Sequence, residues 1–266
     1  MTTSVGVGLR TSHYDTWLAG EARATFVEGI SENFSGRGGR PRAVLECVRK
    51  DADLALHGVS LSIGGTDPLD RAYLREIREL VRASEPRFVS DHLCFGTAHG
   101  VSAHDLLPLP RTEETLAHVV SRVSEVQEVL GRRIALENVS SYLEYAHNEF
   151  DECTFVREVA ARADCLLLID VNNIVVSAHN HGFDAKAYLG SLPAERVAYL
   201  HVAGHSTRRG YRFDDHASPP DAEVKGLFTV ALEMFGAVPA IFEWDENVPT
   251  LAAYLQLAEE IARCSP

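Results

Sequence analysis

The chain has 266 residues, of which 45% are hydrophobic and 24% charged, and carries a formal net charge of -13. That length suits one α/β barrel, a fold that needs roughly 250 residues, so a single domain over 1–266 is expected. The acidic balance argues against nucleic acid as a partner, since backbone binding relies on Lys and Arg displacing phosphate counterions. No apolar run is long enough to span a bilayer, so no membrane partner is expected either.

Two basic runs stand out locally, Arg37, Arg40 and Arg42 in one Gly-bearing stretch and Arg208, Arg209 and Arg212 in another. Both are read as solvated loops. The five cysteines, at positions 47, 94, 153, 165 and 264, show no CxxC pairing. With no secretion signal ahead of them, structural disulfides and zinc knuckles are not expected, and a cytoplasmic location is.

Short apolar segments alternate with longer amphipathic ones. Strands are predicted at 4–9, 25–30 and 54–57, then a helix at 69–83, a strand at 87–90 and a helix at 112–130. A strand at 133–137, a helix at 154–162, strands at 166–170 and 197–201, a helix at 222–235 and a strand at 240–243 complete the pattern. Such alternation implies a parallel sheet. An open doubly wound sheet would carry a Gly-rich phosphate loop after its first strand. GVGLR at 6–10 lacks that signature, and GRGG at 36–39 follows the second strand in the wrong helix register. Eight strands in this length favour closure into a (β/α)8 TIM barrel.

His57, His92, Glu137, Asp170, His201 and Glu243 each fall at or just past the C-terminal end of a predicted strand. In a barrel those ends converge, and active sites are built there. Taken singly, each residue reads as a hydrogen-bonded core group or a solvated strand terminus. Taken together, they crowd carboxylates and imidazoles into a small cavity, which is costly unless cations compensate. Asp214 and His216 form a D-x-H pair after His201. Asp170 and Asn173 lie three residues apart at a strand exit, followed by His179, Asn180 and His181. Nitrogen and oxygen donors without thiolate suit iron, manganese or zinc. About ten donors exceed the needs of one ion, so two or three ions bridged by a carboxylate such as Glu137 are inferred.

The strings HGVSLSIGG (57–65), SDHLC (90–94), ENVSSY (137–142), DVNN (170–173), AHNHGFD (178–184), HVAGH (201–205) and EWD (243–245) occur together and in order. This set resembles the DUF692 family, the multinuclear non-heme iron-dependent oxidases, from GVGLR to Glu243. The resemblance implies a xylose isomerase-like TIM barrel that holds two or three irons of mixed Fe(II)/Fe(III) state. Such an enzyme uses dioxygen to modify a ribosomally made precursor peptide at a cysteine or C-terminal residue, with a small leader-recognising partner protein. Carried over residue by residue, the implied ligands are His57, His92, Glu137, Asp170, Asn173, His181, His201, Asp214, His216 and Glu243. Of these, His92, Glu137 and Asp170 are implied to be catalytic as well. Phe95 stands where many relatives carry Trp, and Ala217 where Gly often follows the His, which leaves substrate identity open.

Near the rim, Glu28, Glu32 and Asn33, and Ser140, Ser141 and Tyr142, read as loop hydrogen-bonding groups or as peptide contacts, and Asp91 as a partner orienting His92. Competing readings are a zinc phosphodiesterase resembling endonuclease IV and a non-catalytic metal- or peptide-binding module. A sugar isomerase would need a lysine by the metals, and only Lys186 lies near the motifs, where it is expected to open a surface helix.

Overall fold

The computed structural model describes residues 3–36 and 38–264. Among them the strands, in chain order, are β1 (Val5–Gly8), β2 (Phe26–Ile30), β3 (Asp53–His57), β4 (Phe88–His92), β5 (Phe95–Ala98) and β6 (Val101–Leu107). They continue with β7 (Ala135–Glu137), β8 (Leu166–Asp170), β9 (Val197–Val202), β10 (Ser206–Arg208), β11 (Tyr211–Phe213) and β12 (Ala240–Phe242). Eight of them close into a parallel barrel in the order β1-β12-β9-β8-β7-β4-β3-β2, the TIM-barrel topology expected from the alternation.

The other four form two antiparallel hairpins, β5 with β6 and β10 with β11, which the sequence pattern did not suggest. None of their residues is buried, so no buried face imposes apolar alternation on them.

The helices on the outside are α1 (Tyr14–Leu18), α2 (Ser31–Phe34), α3 (Arg40–Val48), α4 (Arg71–Ser84) and α5 (Glu113–Leu130). They are followed by α6 (Glu152–Arg162), α7 (Val171–His181), α8 (Ala185–Ser191), α9 (Ala222–Phe235) and α10 (Leu251–Ala262). Side-chain caps start several of them: Asp70, Thr112, Asp151, Asp170 and Asp221 each accept from backbone N–H groups of the first turn. Gly131 and Gly182 end α5 and α7 in the left-handed conformation that lacks a Cβ penalty. Lys186 is exposed in the first turn of α8.

Successive strand residues point to opposite faces, which splits each strand into a helix-facing and a barrel-facing set. Leu54, Leu56, Leu136, Leu167, Ile169, Leu200 and Phe242 join the large core between sheet and helices. Phe26, Ala55, Ala135, Leu168, Tyr199 and Ile241 form a separate cluster inside the barrel. There the Tyr199 ring stacks on Phe88 with centroids 5.2 Å apart and meets Phe26 edge-on at 5.8 Å. This plug closes the floor, and the barrel-facing residue two positions later on each strand begins the polar layer.

Three arginines of the two basic runs have acidic partners. Arg40 pairs with Asp15, Arg212 with Glu223 at 2.5 Å, and Arg208 reaches Asp215 at 3.3 Å while lying 3.9 Å over the Phe213 ring. Arg37 lies outside the described residues.

Closure of the barrel beside β1 depends on Gly6, where a Cβ would sit 2.0 Å from the Phe26 carbonyl oxygen. Because a rigid backbone atom blocks the space, Gly6→Ala is expected to cost about 1–3 kcal/mol or more as β1 and β2 are forced apart. Urea denaturation of the two proteins measures it, and an unchanged midpoint would contradict the close approach.

Candidate metal centre

Six barrel-facing side chains meet above the plug. Each follows a buried barrel-facing residue by two positions: His57 after Ala55, His92 after Ser90, Glu137 after Ala135, Asp170 after Leu168, His201 after Tyr199 and Glu243 after Ile241. Register then decides neighbours. His92 lies beside Glu137 across β4 and β7, and Asp170 beside His201 across β8 and β9.

Two groups of donors result. His57, His92 and Glu137 bring one donor atom each within 4.8 Å of the others, and so do Glu137, Asp170, His201 and Glu243. Glu137 belongs to both. In the first group its Oε2 lies 3.1 Å from His57 Nε2 and 3.4 Å from His92 Nε2, which are themselves 3.2 Å apart. In the second, His201 Nδ1 lies 3.0 Å from Glu243 Oε2 and 3.7 Å from Glu137 Oε1.

Asp214 and His216 extend the second group along the wall. His216 Nε2 is 2.7 Å from Asp214 Oδ1, and its Nδ1 is 3.5 Å from Glu243 and 3.1 Å from Asp245. Asn173, in the first turn of α7, donates from Nδ2 to the Asn138 carbonyl at 3.0 Å and approaches Glu137 Oε1 at 3.4 Å.

His181 is not brought to this cluster. It sits eight residues further along α7, which at 1.5 Å per residue is about 12 Å from Asn173, and its Nε2 bonds to Ser141 at 2.9 Å. The motif AHNHGFD that suggested it lies at the far end of a helix, not in a loop returning to the rim.

Electrostatics show the strain of so many ionisable groups in one buried place. Burial opposes charge on His57, yet Glu137 and Glu28 outweigh it and push the imidazole up to about 9. Burial brings His92 down to about 4 against the pull of Glu137. For His201, burial is overcome by Glu243, Glu28 and Glu137, which raise it well above the usual histidine range. Burial, reinforced by Glu137, Asp214 and Glu243, lifts the Asp170 carboxyl well above the ordinary carboxylate range.

The unsatisfied atoms point the same way. Asp170 Oδ2 and Asn173 Oδ1 are buried without a hydrogen-bond partner, while Glu137 Oε2, His201 Nδ1 and His216 Nε2 meet only other members of the cluster, in ion-pair contacts. Native interiors rarely leave buried polar atoms unpaired, and two of them in a cavity lined by oxygen and imidazole donors fit cation binding.

The site opens into a cleft of about 350 Å³ walled by Ile30, Val59, Leu106, Tyr142, Phe213 and Asp105, among others. Tyr142 stacks on Phe213 with centroids 5.6 Å apart, giving the cleft an aromatic side. Among the expected rim residues, Ser140 and Tyr142 line it. Ser141 turns inward to bond the Leu143 carbonyl, and Glu32 accepts from Tyr73 and Val59 beside it. Glu28 is buried beneath the centre, where it meets His201. Asp91 accepts from the backbone N–H of His92 and Leu61, so it fixes the loop; the His92 imidazole is held instead by the Gly58 carbonyl, 3.1 Å from Nδ1.

Two asparagines were not singled out from the sequence. Asn138 clamps Asp170 through both backbone groups, at 2.9 and 3.0 Å, and Asn172 donates to Asp214 at 2.7 Å while contacting His205 at 2.8 Å. Both stand next to proposed donors in ENVSSY and DVNN, which was the one available signal.

Residues 4–265 match the family described as RiPP precursor modification enzyme MbnB/TglH/ChrH. The chain belongs to this family. Relatives within reach of simple alignment include a UPF0276 protein of Anaeromyxobacter sp., 51% identical over 97% of this chain and 91% of the relative. Another, from Rhizorhabdus wittichii, is 48% identical over 97% of this chain and 94% of its own. Among solved structures, the 3-keto-D-glucoside 4-epimerase YcjR of E. coli superposes with a TM-score of 0.66 at 12% identity, covering 98% of this chain and 100% of that one. D-psicose 3-epimerase of Clostridium cellulolyticum H10 gives 0.63 at 10% identity, over 98% and 96%. At such identity the likeness speaks to the barrel of this family member and to nothing chemical.

The shared carboxylate makes the two donor groups separable by mutation. His92→Ala is expected to lose metal from the first group alone, whereas Glu137→Ala loses it from both; ions per chain by elemental analysis distinguish them, and equal losses would contradict the sharing. A proton sits on His57 below about pH 9. An entering ion must displace it, so the apparent affinity of the first group should fall about tenfold per pH unit as pH drops below that value. Metal titrations across pH check the slope, and a flat profile would mean His57 is not a ligand.

Proposed function

We propose that this protein is a multinuclear non-heme iron-dependent oxidase that uses dioxygen to modify a ribosomally made precursor peptide at a cysteine or C-terminal residue. The observation that carries the reading is Glu137 standing between two buried donor groups at the floor of a cleft wide enough for a peptide side chain, in a chain of the RiPP precursor modification family. The proposed ligands are His57, His92, Glu137, Asp170, Asn173, His201, Asp214, His216 and Glu243, holding two or three irons in mixed Fe(II)/Fe(III) states.

Iron bound there would supply Lewis acidity toward a substrate thiol and a redox partner for dioxygen. The chain's own residues do the rest. His57, His92 and Glu137 orient one side of the reacting pocket, and Asp170, His201 and Glu243 the other. Tyr142, Phe213, Val59 and Leu106 exclude water and grip the apolar part of the peptide. The activity is assigned to the single barrel domain. A small partner protein recognises the leader, and the reaction is placed in the cytoplasm. Among the described residues no helix is long and apolar enough to cross a membrane.

Phosphodiester hydrolysis is disfavoured by Asp105, Asp214, Asp215 and Asp245 at the cleft wall, which would repel a phosphate. A sugar isomerase would need a lysine by the metals, and among the described residues no lysine lines the cleft.

Protein purified without oxygen should contain two or more irons per chain with coupled Mössbauer signals, and should consume dioxygen when given its cysteine-containing peptide. Zinc retained with no iron uptake would overturn the oxidase. Iron binding without turnover on any peptide encoded beside the gene would favour a binding module.

A further inference from the structure

Beneath the donor groups a chain of hydrogen bonds crosses the barrel from one to the other. His57 Nδ1 lies 2.8 Å from Ser90 Oγ, Ser90 Oγ lies 2.6 Å from the Tyr199 hydroxyl, and that hydroxyl lies 2.7 Å from Glu28 Oε2. Glu28 in turn meets His201 Nε2, at 3.0 Å from Oε1 and 3.1 Å from Oε2. Every member is buried: Tyr199 and His201 are 0% exposed, Ser90 and His57 2%, and Glu28 3%.

We propose that Glu28, acting directly on His201 and through Tyr199 and Ser90 on His57, sets where the protons sit on both imidazoles and so aims one bare nitrogen from each into the metal centre. The inference rests on reading the cluster as a metal centre. It assigns Glu28, Tyr199 and Ser90 as positioning residues.

The number of protons each group can donate fixes the direction of every bond in the chain. A carboxylate has only acceptors, so both the Tyr199 hydroxyl and His201 Nε2 must donate to Glu28. Tyr199 has a single proton and spends it there, which leaves its oxygen to accept from Ser90. A phenol keeps its proton at neutral pH. Ser90 also has a single proton, and the other oxygen within its reach, the Leu56 carbonyl, is a longer 3.5 Å away. Committed to Tyr199, Ser90 can only accept from His57 Nδ1. When a bound ion displaces the second proton of each imidazole, His57 therefore keeps its proton on Nδ1 and His201 on Nε2.

The opposite nitrogens face the centre. His57 Nε2 is the atom near Glu137 and His92, and His201 Nδ1 is the one near Glu243. His92 reaches the same outcome independently, because its Nδ1 faces the Gly58 carbonyl, which can only accept. Since His57 belongs to the first donor group and His201 to the second, one carboxylate prepares a ligand in each. Tyr199 joins two jobs, its ring in the apolar plug and its hydroxyl in the relay.

Tyr199→Phe keeps the ring and deletes only the hydroxyl, so it tests the relay with the plug intact. Titration with zinc or anaerobic iron(II) should show the His57–His92–Glu137 group weakened about 10–100-fold in Tyr199→Phe and in Ser90→Ala, as is usual for lost outer partners, with the second group near wild type. Glu28→Gln should weaken both. In the zinc-loaded protein, imidazole 1H–15N spectra should place the retained proton on Nδ1 of His57 and Nε2 of His201, and Tyr199→Phe should speed exchange of the former alone. Wild-type affinity at both groups in Tyr199→Phe and Ser90→Ala, equal weakening of both groups by Tyr199→Phe, or zinc on His57 Nδ1 would each overturn the relay. These readouts need neither peptide nor dioxygen, so they stand apart from the oxidase reading. Failure of the wild-type protein to take up metal would remove the metal centre and the relay together.

Discussion

Everything in the upper half of this barrel answers to one buried carboxylate. Glu137 is 2% exposed and has His57, His92 and His201 around it, while Glu243 and Asp170 crowd in from neighbouring strands. A group so placed cannot be solvated by water, and its charge must be met by imidazolium, by protons on other acids, or by cations. The surrounding carboxylates hold the His57 and His201 imidazoles above the usual histidine range and burial lifts the Asp170 carboxyl, so retained protons offset part of that charge. They do so while leaving Asp170 Oδ2 and Asn173 Oδ1 without a hydrogen-bond partner, an arrangement that bound cations would relieve.

The rest of the fold makes this concentration of charge tolerable by making it rigid. The aromatic plug below shuts out solvent from the far end, and its Tyr199 hydroxyl is the first polar atom of the layer above. Asn138 holds Asp170 by its own backbone. Asp170 caps α7, and Asn172 of that helix's first turn reaches across to Asp214. Because α7 begins at Asp170, its N-terminal N–H groups and positive dipole end also face the acidic cluster. Donors thus come from stiff strand ends and a helix start, and only Asp214 and His216 come from a loop.

Above the centre the character changes. The cleft is bounded by hairpin and loop residues, with Asp105 and Leu106 from β6, Phe213 from β11 and Tyr142 from the loop after β7. In barrels the floor of the site carries the chemistry and the loops carry the choice of substrate. In the proposed oxidase the strand-end residues would carry the chemistry and these walls the choice of peptide.

The sequence by itself determined the barrel and the placing of six polar residues at or just past its strand ends, because both depend on periodicities that a chain carries locally: apolar alternation for strands and three- and four-residue spacing for helices. It also brought Asp214, His216 and Asn173 into consideration through short motifs. It could not say that AHNHGFD continues a helix and carries His181 away, or that the exposed segments at 95–107 and 206–213 pair as hairpins, since neither leaves a one-sided apolar pattern. Only the tertiary structure decided that Glu28, read from its position as a rim residue, lies under His201, that Ser90 and Tyr199 link it to His57, and that Glu137 is held in common by two donor groups. Those facts depend on strand register and on which side chains face one another across the closed barrel, distances between residues far apart in the chain that no local pattern encodes.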